Sequence, residues 1–231
     1  MKKLNLREFI RPRDLVFDVG ACIGTQTQEY LDCGADVIAF EPNPAMQVIL
    51  HEKFDDEDRV LIDHRGLWES ERVLKFHVST TNPATSTFID SVPQYYKKFH
   101  RSDYVQWDQD IEVPVFTLDR AFELYGIPRF MKIDVESSEE FVLRGMHTVV
   151  PFLSFEFYPA PLSTFRVPLE LLKALGYSCF NYIINQSANW EIIWRSDYTF
   201  DDWVDYDTIL AKLETEPIDM SSSFGDIYAK A

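Results

Sequence analysis

Short apolar runs alternate along the chain with segments whose apolar residues recur at helical spacing, and Gly, Pro or an acid punctuates each change. Leu15-Val16-Phe17-Asp18-Val19 reads as a buried strand closed by Gly20, and Thr25 to Leu31 predicts a helix that stops at Gly34. Asp36 to Phe40 repeats the strand pattern and ends at Glu41-Pro42, after which Pro44 takes the first turn of a helix reaching Phe54. Arg59 to Asp63 is a third strand. Val73 to Ser79 alternates as a half-exposed strand does and predicts a hairpin-like excursion over about residues 73–110. Within it, 80–110 reads as a long loop or short helix containing Pro83, Ser86, Thr87 and Pro93.

Further on, Ile111 to Leu118 is strand-like and leads into a helix, Asp119 to Tyr125, ended by Gly126 and Pro128. Phe130 to Asp134 is a core strand. Ser137-Ser138-Glu139-Glu140 has helix-start chemistry, with Phe141, Val142 and Met146 as an apolar face up to His147. Strands at Phe152 to Tyr158, Ser178 to Ile184 and Asp226 to Lys230, with a helix from Pro168 to Leu175, complete the pattern. An aromatic, acidic insert at about 190–216 contains the run DDWVDYD, expected to be a solvated helix start. Its Trp190, Trp194, Tyr198 and Trp203 are expected to pack as a lid's own core, with an acceptor-stacking wall as the alternative. The βαβα alternation predicts an α/β fold with a mostly parallel sheet and helices on both faces, residues 1–231 forming one domain.

Composition narrows the function classes. With 231 residues, 46% of them hydrophobic, the chain can build one substantial core. Its 22 basic and 38 acidic residues give a net charge of −16, which repels a polyphosphate backbone, so nucleic acid is not expected as a partner. Lys97, Lys98, His100 and Arg101 are the one compact basic cluster; acids flank it, and it reads as solvated surface. Cys22, Cys33 and Cys179 show neither disulfide nor zinc spacing. No stretch approaches the roughly 20 apolar residues of a membrane span, and charges interrupt the apolar runs of the first residues, so a cytoplasmic location is expected. His51, His64, His77, His100 and His147 lack ligand spacing; His77 is expected to face solvent and His147 to sit at a helix C-terminus.

In alternating α/β sheets, ligands bind beyond the carboxyl ends of the strands. Here those ends carry Asp18 with Gly20, then Glu41, then Asp134 with Glu136, and then Glu156. Gly20 and Gly24 let the backbone pass close to a ligand and aim helix N–H groups at a carboxylate. Glu41 can accept both hydroxyls of a ribose. Such a site serves either NAD or S-adenosylmethionine. The three non-glycine residues between Gly20 and Gly24 disfavour a pyrophosphate, which usually calls for G-x-G-x-x-G, and leave an NAD-binding oxidoreductase as the alternative.

VFDVGACIG (16–24), AFEPNP (39–44), FTLDRAF (116–122), KIDVESSEEFVLRGM (132–146) and SFEFYP (154–159) together resemble the FkbM-type methyltransferases, with FGDIYAKA similar to the family's closing strand. The resemblance implies a Rossmann-like class I methyltransferase sheet that uses S-adenosylmethionine. It places Asp18, Gly20, Ala21 and Gly24 around the methionine portion, with Thr25 near its carboxylate and Glu41 on the ribose. Pro42 and Asn43 then border the adenosine, and the turn Arg65-Gly66-Leu67 approaches adenine. Two departures stand out: Cys22 where the family favours Asn, and Ser137-Ser138 where it favours Gly-Ala or Gly-Ser. The implied reaction is O-methylation of a hydroxyl on a sugar, glycolipid or natural product. A binding protein that has lost turnover is the second alternative, with Ser137 and Ser138 as its hint.

A sulfonium methyl needs no activation, so catalysis reduces to placing an acceptor in line and managing its proton. Asp134 is the expected general base or acceptor-orienting group, with Glu136 or Glu156 as partner. Alternatively Asp134 and Glu156 hold Mg²⁺, a hard cation suited to carboxylates. Glu136 has a competing reading as the cap of the following helix.

Overall fold

The computed structural model describes residues 6–94, 105–158, 164–188, 191–195, 203–215 and 223–231. Among the described residues, eleven strands fall in two sheets. The larger contains β1 (Leu15–Val19), β2 (Asp36–Phe40), β3 (Val60–Asp63), β7 (Phe130–Ile133), β8 (Phe152–Phe157), β9 (Cys179–Ala188), β10 (Glu191–Arg195) and β11 (Ser223–Lys230), in the order β10-β9-β11-β8-β7-β1-β2-β3. From β3 to β8 every pairing is parallel; β11 runs antiparallel between β8 and β9, and β10 antiparallel to β9. The smaller sheet orders β4 (Gly66–Leu67), β6 (Trp107–Phe116) and β5 (Arg72–Ser79) as β4-β6-β5.

Helices cover both faces of the large sheet, as the pattern predicts. β1 is buried on both sides: Val16 packs with Tyr30 and Leu31 of α1 (Thr25–Asp32) and Leu50 and Phe54 of α2 (Pro44–Phe54). Phe17 and Val19 point the other way. They join residues of α3 (Leu118–Tyr125), α4 (Glu139–Arg144), α5 (Arg166–Leu175) and α6 (Tyr206–Thr215). Each such large apolar side chain contributes about 1.5–3 kcal/mol by leaving water.

Several boundaries and environments differ from expectation. β6 begins at Trp107, because its first residues pair with β5 across a register from Arg72↔Val115 to Ser79↔Trp107. Between β5 and β6, the described residues form a 3-10 turn at Pro83–Thr85, a bridge from Thr87 to His77 and a helical segment at 91–94. Thr117 caps α3 through Arg120 N, so that helix starts at Leu118. α4 is shorter than its apolar periodicity suggests, closing at Gly145, where a Cβ would lie 2.4 Å from the Trp68 carbonyl oxygen. β9 and β11 are longer than read, because each pairs along most of its length with the other.

His77 does not face solvent; it is 9% exposed, with Nδ1 2.7 Å from Asp110 Oδ1 and Nε2 2.7 Å from Asp90 Oδ1. His147 is held by Asp119, through Nδ1 at 2.7 Å and its backbone N–H at 2.9 Å, rather than by a helix end alone. Within the DDWVDYD run, Trp203, Val204 and Tyr206 are half-buried rather than solvated. Val204 bridges Phe180, Trp203 meets Phe9 with ring centroids 6.2 Å apart, and α6 buries Ile209 and Leu213. Trp190, Tyr198 and the basic cluster at 97–101 lie outside the described residues.

Candidate functional site

The parallel strands bring Gly20, Glu41, Asp134 and Glu156 to one edge of the sheet, and antiparallel β11 delivers Asp226 to the same edge opposite Glu156. The turn after β1 fits there because Gly20 lacks a side chain. Its φ is +87°, and a Cβ would stand 1.8 Å from the Asp134 carbonyl oxygen. Gly24, at φ +76°, likewise lets α1 settle on Phe54 and Leu50 of α2. Cys22 itself adopts φ +50°, a left-handed conformation that Asn tolerates better than most side chains.

Glu41 is preorganised by this turn. Cys22 N–H donates to Oε2 at 2.7 Å and Asn43 N–H to Oε1 at 2.8 Å, while each oxygen keeps a second lone pair for another donor. Burial at 5% exposure pushes the carboxyl up to about 7. Gly20 and Ala21 N–H groups are spent on the Phe40 carbonyl, at 2.9 and 3.1 Å. The donors left for a ligand carboxylate are therefore the first-turn N–H groups of α1, beginning at exposed Thr25. Asp18 is 1% exposed and takes the Thr27 hydroxyl at 2.5 Å, with burial raising it to about 6; it braces the turn from within the sheet.

Asn43 caps α2 by accepting Ala45 N–H, and its amide reaches Ser86 Oγ at 3.2 Å. Its neighbour Thr87 donates to the Glu136 carbonyl at 2.8 Å. Two consecutive hydroxyls of the excursion thus tie the Glu41 side of the cleft to the Glu136 side. Pro42 lies half-buried between Glu41 and this cap. Gly66 and Leu67 form β4, Leu67 being 3% exposed and packed in the core. Arg65, beside them, grips Asp63 at 2.6 Å, and Tyr125 donates to the same carboxylate at 2.8 Å.

Opposite Glu41, carboxylate oxygens of Asp134, Glu136 and Glu156 lie within 4.8 Å of one another. Lys132, on β7 two residues before Asp134, is 5% exposed and donates to Asp134 Oδ2 at 2.6 Å; Asp226 Oδ1 stands 3.4 Å from its Nζ. Burial, with repulsion from Asp134 and from other carboxylates, pushes Glu136 and Glu156 well above the usual carboxylate range. Tyr158 donates to Glu136 Oε2 at 3.1 Å. Glu136 does not cap α4; Glu139 does related work, accepting Val135 N–H at 3.0 Å, and burial lifts it to about 7. Glu136 and Ser137 both hold positive φ, +53° and +73°. A side chain at position 137 bears a strain there that glycine would not.

Lys132, Glu139, Asp226, Thr27 and Tyr158 escaped the sequence reading. Lys132 and Asp226 had a signal: a charge at an interior position of a buried-type strand. Glu139 looked like ordinary first-turn acid, and only packing buries it.

The model of the methyltransferase FkbM domain matches residues 18–179. No curated protein sequence matches significantly. Among solved structures, the precorrin-6y C5,15-methyltransferase of Geobacter metallireducens GS-15 superposes with a TM-score of 0.49 at 9% identity, over 97% of this chain and 83% of that one. A putative rRNA methylase of Clostridium thermocellum gives 0.47 at 11% identity, over 100% and 99%. Aeropyrum pernix fibrillarin with natively bound S-adenosyl-L-methionine gives 0.47 at 10% identity, over 96% and 68%. It is the family match that carries weight.

Proposed function

Since this chain belongs to the FkbM methyltransferase family, we propose that it transfers a methyl group from S-adenosylmethionine to a hydroxyl of a sugar, glycolipid or natural product. The observation that carries the reading is one edge of one sheet bearing a preorganised carboxylate, Glu41, on one side and three converging carboxylates on the other.

The donor set fits the cofactor. Glu41 would receive the ribose hydroxyls on its remaining lone pairs, Asn43 and Pro42 would border the adenosine, and the Arg65-Gly66-Leu67 backbone would flank adenine. Asp18, Gly20, Ala21 and Gly24 would shape the wall around the methionine portion, and Thr25 with the first turn of α1 would meet its carboxylate. S-adenosylmethionine supplies an electrophilic methyl that needs no further activation. What remains for the protein is orientation and a proton. Asp134, held in place by Lys132, would orient the acceptor hydroxyl and receive its proton, with Glu136 or Glu156 as partner. The acceptor would be neutral or cationic rather than a nucleic acid, and the three free cysteines suit the cytoplasm.

Calorimetric titration with S-adenosylhomocysteine tests the cofactor. Saturable binding is expected; absence of binding, or binding of NAD instead, rejects the reading. Radiolabelled methyl transfer to a glycan and natural-product panel tests the acceptor class. Asp134→Asn should keep cofactor affinity and slow transfer, and unchanged turnover would remove Asp134 from the mechanism.

A further inference from the structure

The acidic side of the cleft carries more negative groups than its own positive charge can offset. Lys132 faces Asp134 and Asp226 together, and Glu136 and Glu156 add two carboxylates beyond its contacts. Glu156 is 7% exposed, and its Oε2 has no hydrogen-bond partner. A buried oxygen of this kind without a partner is costly, and its neighbours in the cluster are acceptors that offer it nothing. What such a group lacks is a donor or cation in direct contact, since Lys132 acts on it only at longer range.

We propose that Asp134, Glu136 and Glu156 form a binding site for a hard divalent cation, whose open coordination positions take two adjacent oxygens of the methyl acceptor. All three ligands are carboxylates, the donors that Mg²⁺ and Ca²⁺ prefer, and the set contains no sulfur or imidazole to favour a softer metal. The spacing supports the choice. Two oxygens on Mg²⁺ at about 2.1 Å stand no more than about 4.2 Å apart, whereas at the roughly 2.4 Å of Ca²⁺ they reach about 4.8 Å. Oxygens within 4.8 Å of one another can converge on either ion with small side-chain movements, the larger Ca²⁺ needing the less movement. Asp134 and Glu136 are half-buried, so the site opens on one side instead of being a closed cage. A vicinal diol reaching that side would be oriented by the cation. The orienting role given above to Asp134 then passes through the metal, and in this the inference rests on the methyltransferase reading.

Calorimetric titration of Ca²⁺ and Mg²⁺ into the metal-stripped full chain, with no acceptor present, tests the site. One saturable site is expected, and Asp134→Asn and Glu156→Gln should each weaken it by roughly tenfold or more. The exposed control Asp207→Asn should leave it unchanged. Thermal unfolding checks that each variant is folded, and Glu136→Gln replaces Glu156→Gln if the buried variant is not. No saturable binding by the wild-type chain, or equal binding by all ligand variants, overturns the proposal and leaves protons as the neutralising charge. S-adenosylhomocysteine titration in EDTA is run in parallel. Cofactor binding without cation binding rejects the metal alone, whereas loss of cofactor binding rejects the reading beneath it.

Discussion

Ser137 is the residue at which local strain is most plainly stored. Its φ of +73° costs a residue with a Cβ about 1–2 kcal/mol relative to glycine. Ser137→Gly should therefore raise the unfolding free energy by about 1 kcal/mol in denaturant titrations; a neutral or destabilising result would show that the unfolded-state entropy of glycine outweighs the relief. Glu41 makes a second prediction at this scale. Its carboxyl titrates at about 7, and a ribose hydroxyl donates best to the ionised form. Affinity for S-adenosylhomocysteine should be about tenfold weaker at pH 6 than at pH 8, because each pH unit below the pKa removes about tenfold of the carboxylate. Glu41→Gln should bind weakly with that pH dependence gone.

Between elements, the pair Ser86-Thr87 joins parts of the cleft that no strand pairing connects. Thr87 is fully buried and its hydroxyl goes to the Glu136 carbonyl, in the strained turn before α4. Thr87→Val leaves that acceptor without its partner, so stability should fall by about 1–3 kcal/mol in chemical denaturation. Methyl transfer should slow while cofactor affinity holds, since the Glu41 side is untouched. Asn43→Ala should do the reverse. Removing an N-cap costs about 1 kcal/mol, and losing the contact to Ser86 loosens the adenosine border, so cofactor affinity should drop in calorimetry. If both variants change the same parameter, the two hydroxyls act as one packing element rather than as separate ties.

For the whole molecule, the buried acids decide how stability varies with pH. Asp18, Glu41 and Glu139 titrate at about 6, 7 and 7 when folded, against 3.8, 4.5 and 4.5 for the ordinary side chains. Between those limits the native state holds more protons than the unfolded chain, so stability falls as pH rises from about 4.5 to 7 and levels off beyond. Asp63 opposes this at the acid end. The Arg65 guanidinium and Tyr125 hydroxyl hold it below its usual range despite burial, so its contribution is present above that range and is lost as pH falls through the lowered value. Melting temperature should peak near pH 4.5, and at pH 7 added salt should raise it by screening a chain of net charge −16. A melting temperature that climbs steadily from pH 5 to pH 8 would contradict the burial of these groups.

Strand and helix order was legible because it depends on local periodicity. β1, β2 and α2 occupy the predicted residues, and Gly20, Glu41 and Asp134 end their strands as read. Acids at strand ends are a positional signal that any parallel sheet turns into a cleft. Environment was not legible, since it depends on what a distant segment brings. The alternation around His77 placed it outward until Asp90 and Asp110 closed over it. Glu139 matched a first-turn acid until packing buried it beneath Val135. The αL turn at Glu136 and Ser137, the approach of Lys132 to Asp134 and Asp226, and the link through Ser86 and Thr87 arise only in three dimensions. By itself the sequence determined which residues end each strand and hence which reach the cleft. Tertiary structure alone decided their charge state and partners, because desolvation and hydrogen bonding depend on contacts between residues far apart in the chain.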